Sequence, residues 1–185
     1  MTNDIRHHLF ETALGPCGVA WNARGLRAVQ LPERTQALTE RRLIAKAGSA
    51  GPAEPPPAIA AVVADIQRYL EGARVDFRAV AVDLETLEPF RRRLYEALRD
   101  IGFGATTTYG ELAKRIGADP IEGARDVGAA MGKNPVPIVV PCHRVLAAGG
   151  KLGGFSAPGG GATKAKLLAL EGVHFDGGTP RLPGL

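Results

Sequence analysis

The chain has 185 residues, 45% hydrophobic and 23% charged, with a formal net charge of +4. That is the size of one large domain or two small ones, with the balance of an ordinary soluble globular protein. No apolar stretch approaches membrane-spanning length, and Cys17 and Cys142, the only cysteines, exclude a secreted disulfide framework. Met1 to His8 lacks a basic segment followed by an apolar one, so no signal peptide is expected, and a reducing, cytoplasmic compartment follows. The mild positive charge is compatible with a polyanionic partner but does not identify one.

Strands are expected near His8–Thr12, Cys17–Trp21 and Leu26–Leu31, separated by the turn signals Gly15-Pro16 and Asn22-Ala23-Arg24-Gly25. Their close spacing predicts an antiparallel meander, with Cys17 a buried small hydrophobe in a strand. A helix is expected over Arg34–Lys46, then a loop through the Pro-rich stretch 47–57. A second helix should cover Ala58–Glu71, with Ile59, Val62, Val63, Ile66 and Leu70 on one face. Arg78–Asp83 reads as a last strand, and a domain boundary is placed near Leu84–Glu88.

The second half reads as helical. Phe90, Leu94, Leu98 and Ile101 form one stripe of an amphipathic helix that Gly102 is placed to end. Thr108 and Glu111 have capping-box spacing and open a short helix that stops near Gly117. Asp119 as cap and Pro120 at the first helical position start another, from Ile121 to about Met131, with Gly132 as its stop. Two short helices joined by a tight turn make a helix-turn-helix candidate. The second contains Gly123, Ala124, Gly128, Ala129 and Ala130, although each interior Gly costs about 1 kcal/mol relative to Ala. A smooth helix from which Arg125 alone stands out suits a narrow minor groove; it equally suits tight helix–helix packing with Arg125 solvated. A final helix is expected over Ala162–Glu171, and the Pro/Gly-rich tail 175–185 should be loose.

Pro141-Cys142-His143-Arg144-Val145, following the apolar run Pro137–Val140, carries the chemistry. A thiol beside an imidazole is a candidate activated nucleophile. In an extended segment the two side chains would point to opposite faces, so a direct bond is not expected; a bridging water requires the chain to turn there. Glu171, in the last turn of a helix, opposes the helix dipole, and His143 is an attractive compensating partner.

The pentapeptide resembles the active-site signature of the O6-alkylguanine-DNA alkyltransferases, also called methylated-DNA–protein-cysteine methyltransferases, and the resemblance extends over roughly Phe90–Gly172. It implies a mixed α/β fold: an N-terminal ribonuclease H-like domain (residues 1–85), a mostly helical winged helix-turn-helix domain (86–173) and a tail (174–185). Gly15-Pro16, Trp21 and Gly25-Leu26 look like the N-terminal part. By resemblance, Cys142 accepts the alkyl group, His143 is its water-linked base and Glu171 the acid behind that base. Tyr109, in Thr108-Tyr109-Gly110-Glu111, crowds the target phosphate and assists protonation of the base, and Asn134, in Lys133-Asn134-Pro135, fixes the hinge. Arg125 is the finger that fills the hole left by a flipped guanine, with Ala124, Gly128 and Ala129 against the DNA. Val140, Pro141, Phe155, Ser156 and Lys164 belong to the substrate pocket.

The implied activity is DNA repair: irreversible transfer of alkyl from O6-alkylguanine, or O4-alkylthymine, to Cys142, once per molecule. The partner is the minor groove of double-stranded DNA, the protein is a monomer, and neither cofactor nor metal is expected, because Cys17 with His7 and His8 makes a poor zinc site. Two departures stand out. Asp126 follows the finger where a small neutral residue belongs, and the pocket loop 153–161 is about two residues longer than the family's. A non-catalytic module that recognises alkylated DNA and recruits other repair factors is the alternative. A Cys142/His143 hydrolase is the third reading, weakened because hydrolase Cys and His are usually far apart in sequence.

Overall fold

The computed structural model describes residues 4–119, 121–176 and 179–181. The chain divides into two compact units, Met1–Thr86 with Pro135–Val139, and Leu87–Asn134 with Val140–Leu185. Among the described residues no helix is long and apolar enough to cross a membrane.

In the N-terminal unit, β1 (Arg6–Phe10), β2 (Cys17–Asn22) and β3 (Gly25–Gln30) form the expected antiparallel meander. β1 begins two residues before the expected strand, because Thr12 is used in the turn, where its hydroxyl donates to the Gly15 carbonyl at 2.7 Å. α1 (Gln36–Ala47) opens on Thr35, whose side chain accepts from the Leu38 amide, and lays Leu43 and Ala47 on Ala20 and Ala28. Gly18 permits that approach: a Cβ there would lie 2.6 Å from a Leu43 methyl. Cys17 is fully buried in β2, and burial pushes its thiol up to about 11, so it is inert packing.

Two readings in this unit are corrected. The stretch 47–57 is not all loop: Gly51–Pro52 forms β4, parallel to β1 and adding a fourth strand in the order β3-β2-β1-β4. Arg78–Asp83 does not form a strand but makes a single bridge, between Val82 and Leu26. Asp83 anchors this segment through its side chain, which accepts from Asn22 Nδ2 at 2.7 Å and from Arg24 Nη2 at 2.9 Å. α2 (Pro57–Leu70) buries the expected stripe Ile59, Val62, Val63, Ile66 and Leu70, together with Tyr69. Pro135 belongs to this unit, its carbonyl accepting from the Val29 amide at 2.9 Å.

The second unit is mostly helical. α3 (Pro89–Arg99) buries Leu94, Tyr95 and Leu98; β5 (Thr107–Thr108) leads into α4 (Tyr109–Arg115), and α5 (Gly123–Met131) follows. β6 (Val145–Leu146) pairs parallel with β5, and α6 spans Gly160–Leu170. β7 (His174–Asp176) and β8 (Thr179–Arg181) pair antiparallel where a loose tail was expected. Residues 177–178 and 182–185 of that tail, and the helix-opening role expected of Pro120, lie outside the described residues.

Candidate active site

The helix pair is fixed by local chemistry. Thr108 Oγ1 accepts from the Glu111 amide at 3.2 Å while Glu111 Oε2 accepts from the Thr108 amide at 2.9 Å, closing the expected capping box. Tyr109 is thereby set at the first position of α4. Asp119 Oδ1 accepts from the Ile121 and Glu122 amides at 2.8 Å each, so this acid caps a turn and α5 begins at Gly123 rather than at Ile121.

Within α5 the small residues meet different neighbours. Gly123 serves packing, since a Cβ there would lie 3.2 Å from the Ala113 Cβ of α4. At Gly128 an added Cβ would instead lie 3.7 Å from the Tyr109 ring, an ordinary contact. Val127, Ala130 and Met131 point inward, while Ala124, Arg125, Asp126 and Ala129 are exposed. Arg125 is paired with Glu122 at 3.0 Å. Asp126 lines a second hollow of about 290 Å³ with Glu88, Arg91 and Lys133.

The nucleophile sits in a tight turn, the arrangement that a bridging water requires, and not in an extended segment. Pro141 (φ −81°, ψ 64°) centres an inverse γ-turn in which the Cys142 amide donates to the Val140 carbonyl at 2.8 Å. Cys142–Arg144 then forms one turn of 3₁₀ helix. Upstream, Ile138 holds φ 73°, a conformation that a β-branched residue adopts only when its surroundings impose it. Asn134 spans the turn: its amide nitrogen donates to the Val140 carbonyl at 2.8 Å and to the Cys142 sulfur at 3.2 Å.

His143 is fully buried and bonded through Nε2 to Glu171 Oε1 at 2.8 Å. Burial alone would raise the Glu171 pKa, but hydrogen bonds from His143 and Arg144 outweigh it and hold the carboxylate well below its usual range. An ionised carboxylate only accepts, so Nε2 carries the proton. Burial also pushes the His143 pKa down despite the acid. At neutral pH the imidazole is therefore uncharged, with its lone pair on Nδ1. Glu171 caps the C-terminus of α6 rather than lying in its last turn.

Sequence reasoning placed Arg144 in the active-site turn but missed its pairing with Glu171, and gave no part to Gly104. Arg144 forks onto Glu171, Nη2 to Oε1 and Nε to Oε2, both at 2.9 Å, and the Gly104 amide donates to Oε2 at 3.0 Å. One signal was available for Arg144: a cation inside the apolar run 136–146 must meet an anion when buried.

A cavity of about 270 Å³ opens onto the thiol, lined by Tyr109, Gly128, Met131, Gly132, Cys142, Gly154, Phe155 and Ser156. Its size suits one heterocycle rather than an extended ligand. The walls differ from those expected. Val140 and Pro141 shape the turn behind the sulfur, and Lys164 lies beneath the pocket loop; none of the three lines the cavity, whereas Met131, Gly132 and Gly154 do. Lys164 Nζ donates to the carbonyls of Val145 at 2.6 Å and Gly154 at 3.1 Å, and lies 5.9 Å from the centre of the Tyr109 ring. Burial pushes its pKa down to about 8. Burial, then the nearby Cys142, raises the Tyr109 pKa, so its hydroxyl stays a proton donor.

Known proteins are similar to this chain in sequence and fold. Residues 5–84 match the ribonuclease-like domain of 6-O-methylguanine DNA methyltransferase, and residues 89–173 match its DNA-binding domain. A methylated-DNA–protein-cysteine methyltransferase of Mycolicibacterium paratuberculosis is 42% identical over 147 residues, covering 78% of this chain and 86% of that protein. The chain belongs to the 6-O-methylguanine DNA methyltransferase family. The crystal structure of Mycobacterium tuberculosis OGT in complex with DNA matches with a TM-score of 0.71 at 34% identity, over 90% of this chain and 92% of that one. A Thermus thermophilus protein named DNA base-flipping protein is 42% identical over 108 residues, or 58% of this chain and 69% of that protein.

Proposed function

We propose that this family member repairs O6-alkylguanine, and O4-alkylthymine where it fits, in double-stranded DNA by moving the alkyl group to Cys142. The observation that carries the reading is the Cys142 sulfur at the wall of a base-sized cavity beneath α5, with Asn134 donating to it. The exposed face of α5 lies in the minor groove, Ala124, Gly128 and Ala129 allow close approach, and Arg125 leaves Glu122 to fill the space of the extruded nucleotide. The flipped base enters between Tyr109 and the Phe155–Ser156 loop, where Ser156 donates toward O6. Lys164 acts from behind, holding the loop and the strand after the thiol in register.

The thiol proton passes through a water to Nδ1 of His143, whose Nε2 proton Glu171 pins in place. The thiolate attacks the alkyl carbon, forming the S–C bond as the C–O6 bond breaks. The electron pair leaves on guanine, which the Tyr109 hydroxyl protonates, and the proton held at His143 restores Tyr109. The thioether has no route back, so each monomer acts once, and no cofactor enters because the substrate carries its own activated carbon. A reducing cytoplasm keeps the thiol available.

The test is transfer of label from an oligonucleotide containing O6-[methyl-³H]methylguanine, with mass spectrometry of the protein. One label per molecule on Cys142 is expected, and none in Cys142→Ala. Multiple turnovers, or activity surviving that substitution, would refute the reading. Tight lesion binding without transfer would instead identify a non-catalytic recruiting module.

A further inference from the structure

The carboxylate of Glu171 is shared. It lies at the C-terminus of α6, where the helix dipole disfavours an anion, and its side chain has no exposure. His143 donates to Oε1 at 2.8 Å, yet the Arg144 guanidinium takes both oxygens at 2.9 Å. A bidentate guanidinium is a strong, permanently charged partner for a carboxylate. The remaining Arg144 nitrogen, Nη1, donates to the Ile101 carbonyl, and the Gly104 amide holds Oε2, so the fork is fixed in orientation. A carboxylate facing an imidazole alone makes it more basic. Here the same carboxylate is already paired with a permanent cation.

We propose that Arg144 is a positioning residue for the proton relay: by occupying Glu171 it leaves His143 with an oriented Nε2 proton but without the basicity of an isolated His–Glu pair. The imidazolium formed when Nδ1 takes the thiol proton then gives that proton up readily, instead of being stabilised by an unshared carboxylate. This role rests on the alkyl-transfer reading of the site. Among the described residues, three charged groups act on His143. Glu171 opposes the lowering by burial, while Arg144 on the same turn and Lys164 from α6 act with burial. Cys142 adjoins His143 in the turn.

The experiment follows the His143 ring nitrogens by ¹⁵N NMR across pH in the intact protein, in parallel with label transfer. The wild type should show the neutral Nε2–H tautomer at pH 7. Arg144→Met should raise the His143 midpoint by one pH unit or more, because Glu171 then faces the imidazole alone. The double variant Arg144→Met/Glu171→Gln loses the same guanidinium packing but also the negative charge, so its midpoint should return to the wild-type value or below. An unmoved midpoint in Arg144→Met overturns the proposal. So does an equal rise in the double variant, which would mark simple admission of water. Should Arg144→Met fail to fold, Arg144→Lys carries the test: a point charge cannot reproduce the fork, so a smaller upward shift is expected and none refutes. Wild-type protein that titrates as described but transfers no label would fail the functional reading and leave standing only the effect of Arg144 on the His143 titration.

Discussion

Asn134→Ala isolates the contact on the sulfur. The Asn134 amide has two hydrogens and two acceptors, the Val140 carbonyl at 2.8 Å and the Cys142 sulfur at 3.2 Å. The Val140 carbonyl keeps a second donor, the Cys142 amide at 2.8 Å, so the turn survives the substitution and the loss falls on the sulfur. A hydrogen bond to a charged group contributes about 1.5–3 kcal/mol net. That corresponds to a rate loss of roughly 10- to 150-fold, at about 1.4 kcal/mol per factor of ten. Single-turnover alkyl transfer from a methylated duplex, quenched at intervals, measures it. The deficit should shrink as pH rises, because solvent base then supplies the thiolate that Asn134 otherwise helps to form. Asn134→Asp should be slower than Asn134→Ala, since a carboxylate cannot donate and sets a negative charge beside the sulfur. A loss of less than about threefold in folded Asn134→Ala would refute the argument, on the same energy scale. A loss independent of pH would move the role of Asn134 from the sulfur to the backbone turn.

Arg125→Ala should reduce repair of duplex DNA at least tenfold, on the order of the loss of one base-space-filling contact, while reaction with free O6-methylguanine stays unchanged. Its ion pair with Glu122 is exposed, so urea unfolding should move by no more than about 0.5 kcal/mol; equal losses on both substrates would remove the finger role. In the N-terminal unit, burial alone would raise Asp83, but hydrogen bonds from Arg24 and Asn22 bring its pKa from 3.8 to about 2. A depressed acid stabilises the fold above its unfolded value, and that stability is lost as pH falls through the folded value. About 2 kcal/mol should therefore disappear between pH ~4 and ~2. Urea titrations at a series of pH values should show this slope in the wild type and a flatter one in Asp83→Asn.

What the sequence made legible was local. The meander was visible because turn residues and β-prone runs sit within a few positions of one another, and α4 because the Thr108–Glu111 box is complete in four residues. Gly51–Pro52 has no strand signature and becomes β4 only because β1 lies ready to pair with it. Arg78–Asp83 shows the reverse: residues with strand-like alternation make one bridge, because the buried carboxylate of Asp83 dictates where the segment attaches. Charge partners at long range were hidden in the same way. Glu171 was matched to His143 on the oddity of its helix position, whereas Arg144, 27 residues from the same carboxylate, gave only the hint of a cation among apolar neighbours.

The adjacency of Cys142 and His143 is the instructive case. In an extended strand it would have argued against cooperation, since neighbouring side chains face opposite ways. The γ-turn at Pro141 and the 3₁₀ turn after it change that premise. Cys142 reaches the cavity wall while His143 is sealed against Glu171, with no exposure of its own. A nucleophile that must meet a base as large as guanine needs its proton acceptor out of the substrate's path, and two consecutive residues on a tight turn provide that separation within one peptide unit. The strained φ of Ile138, immediately upstream, is consistent with a turn imposed by its surroundings rather than preferred by its residues.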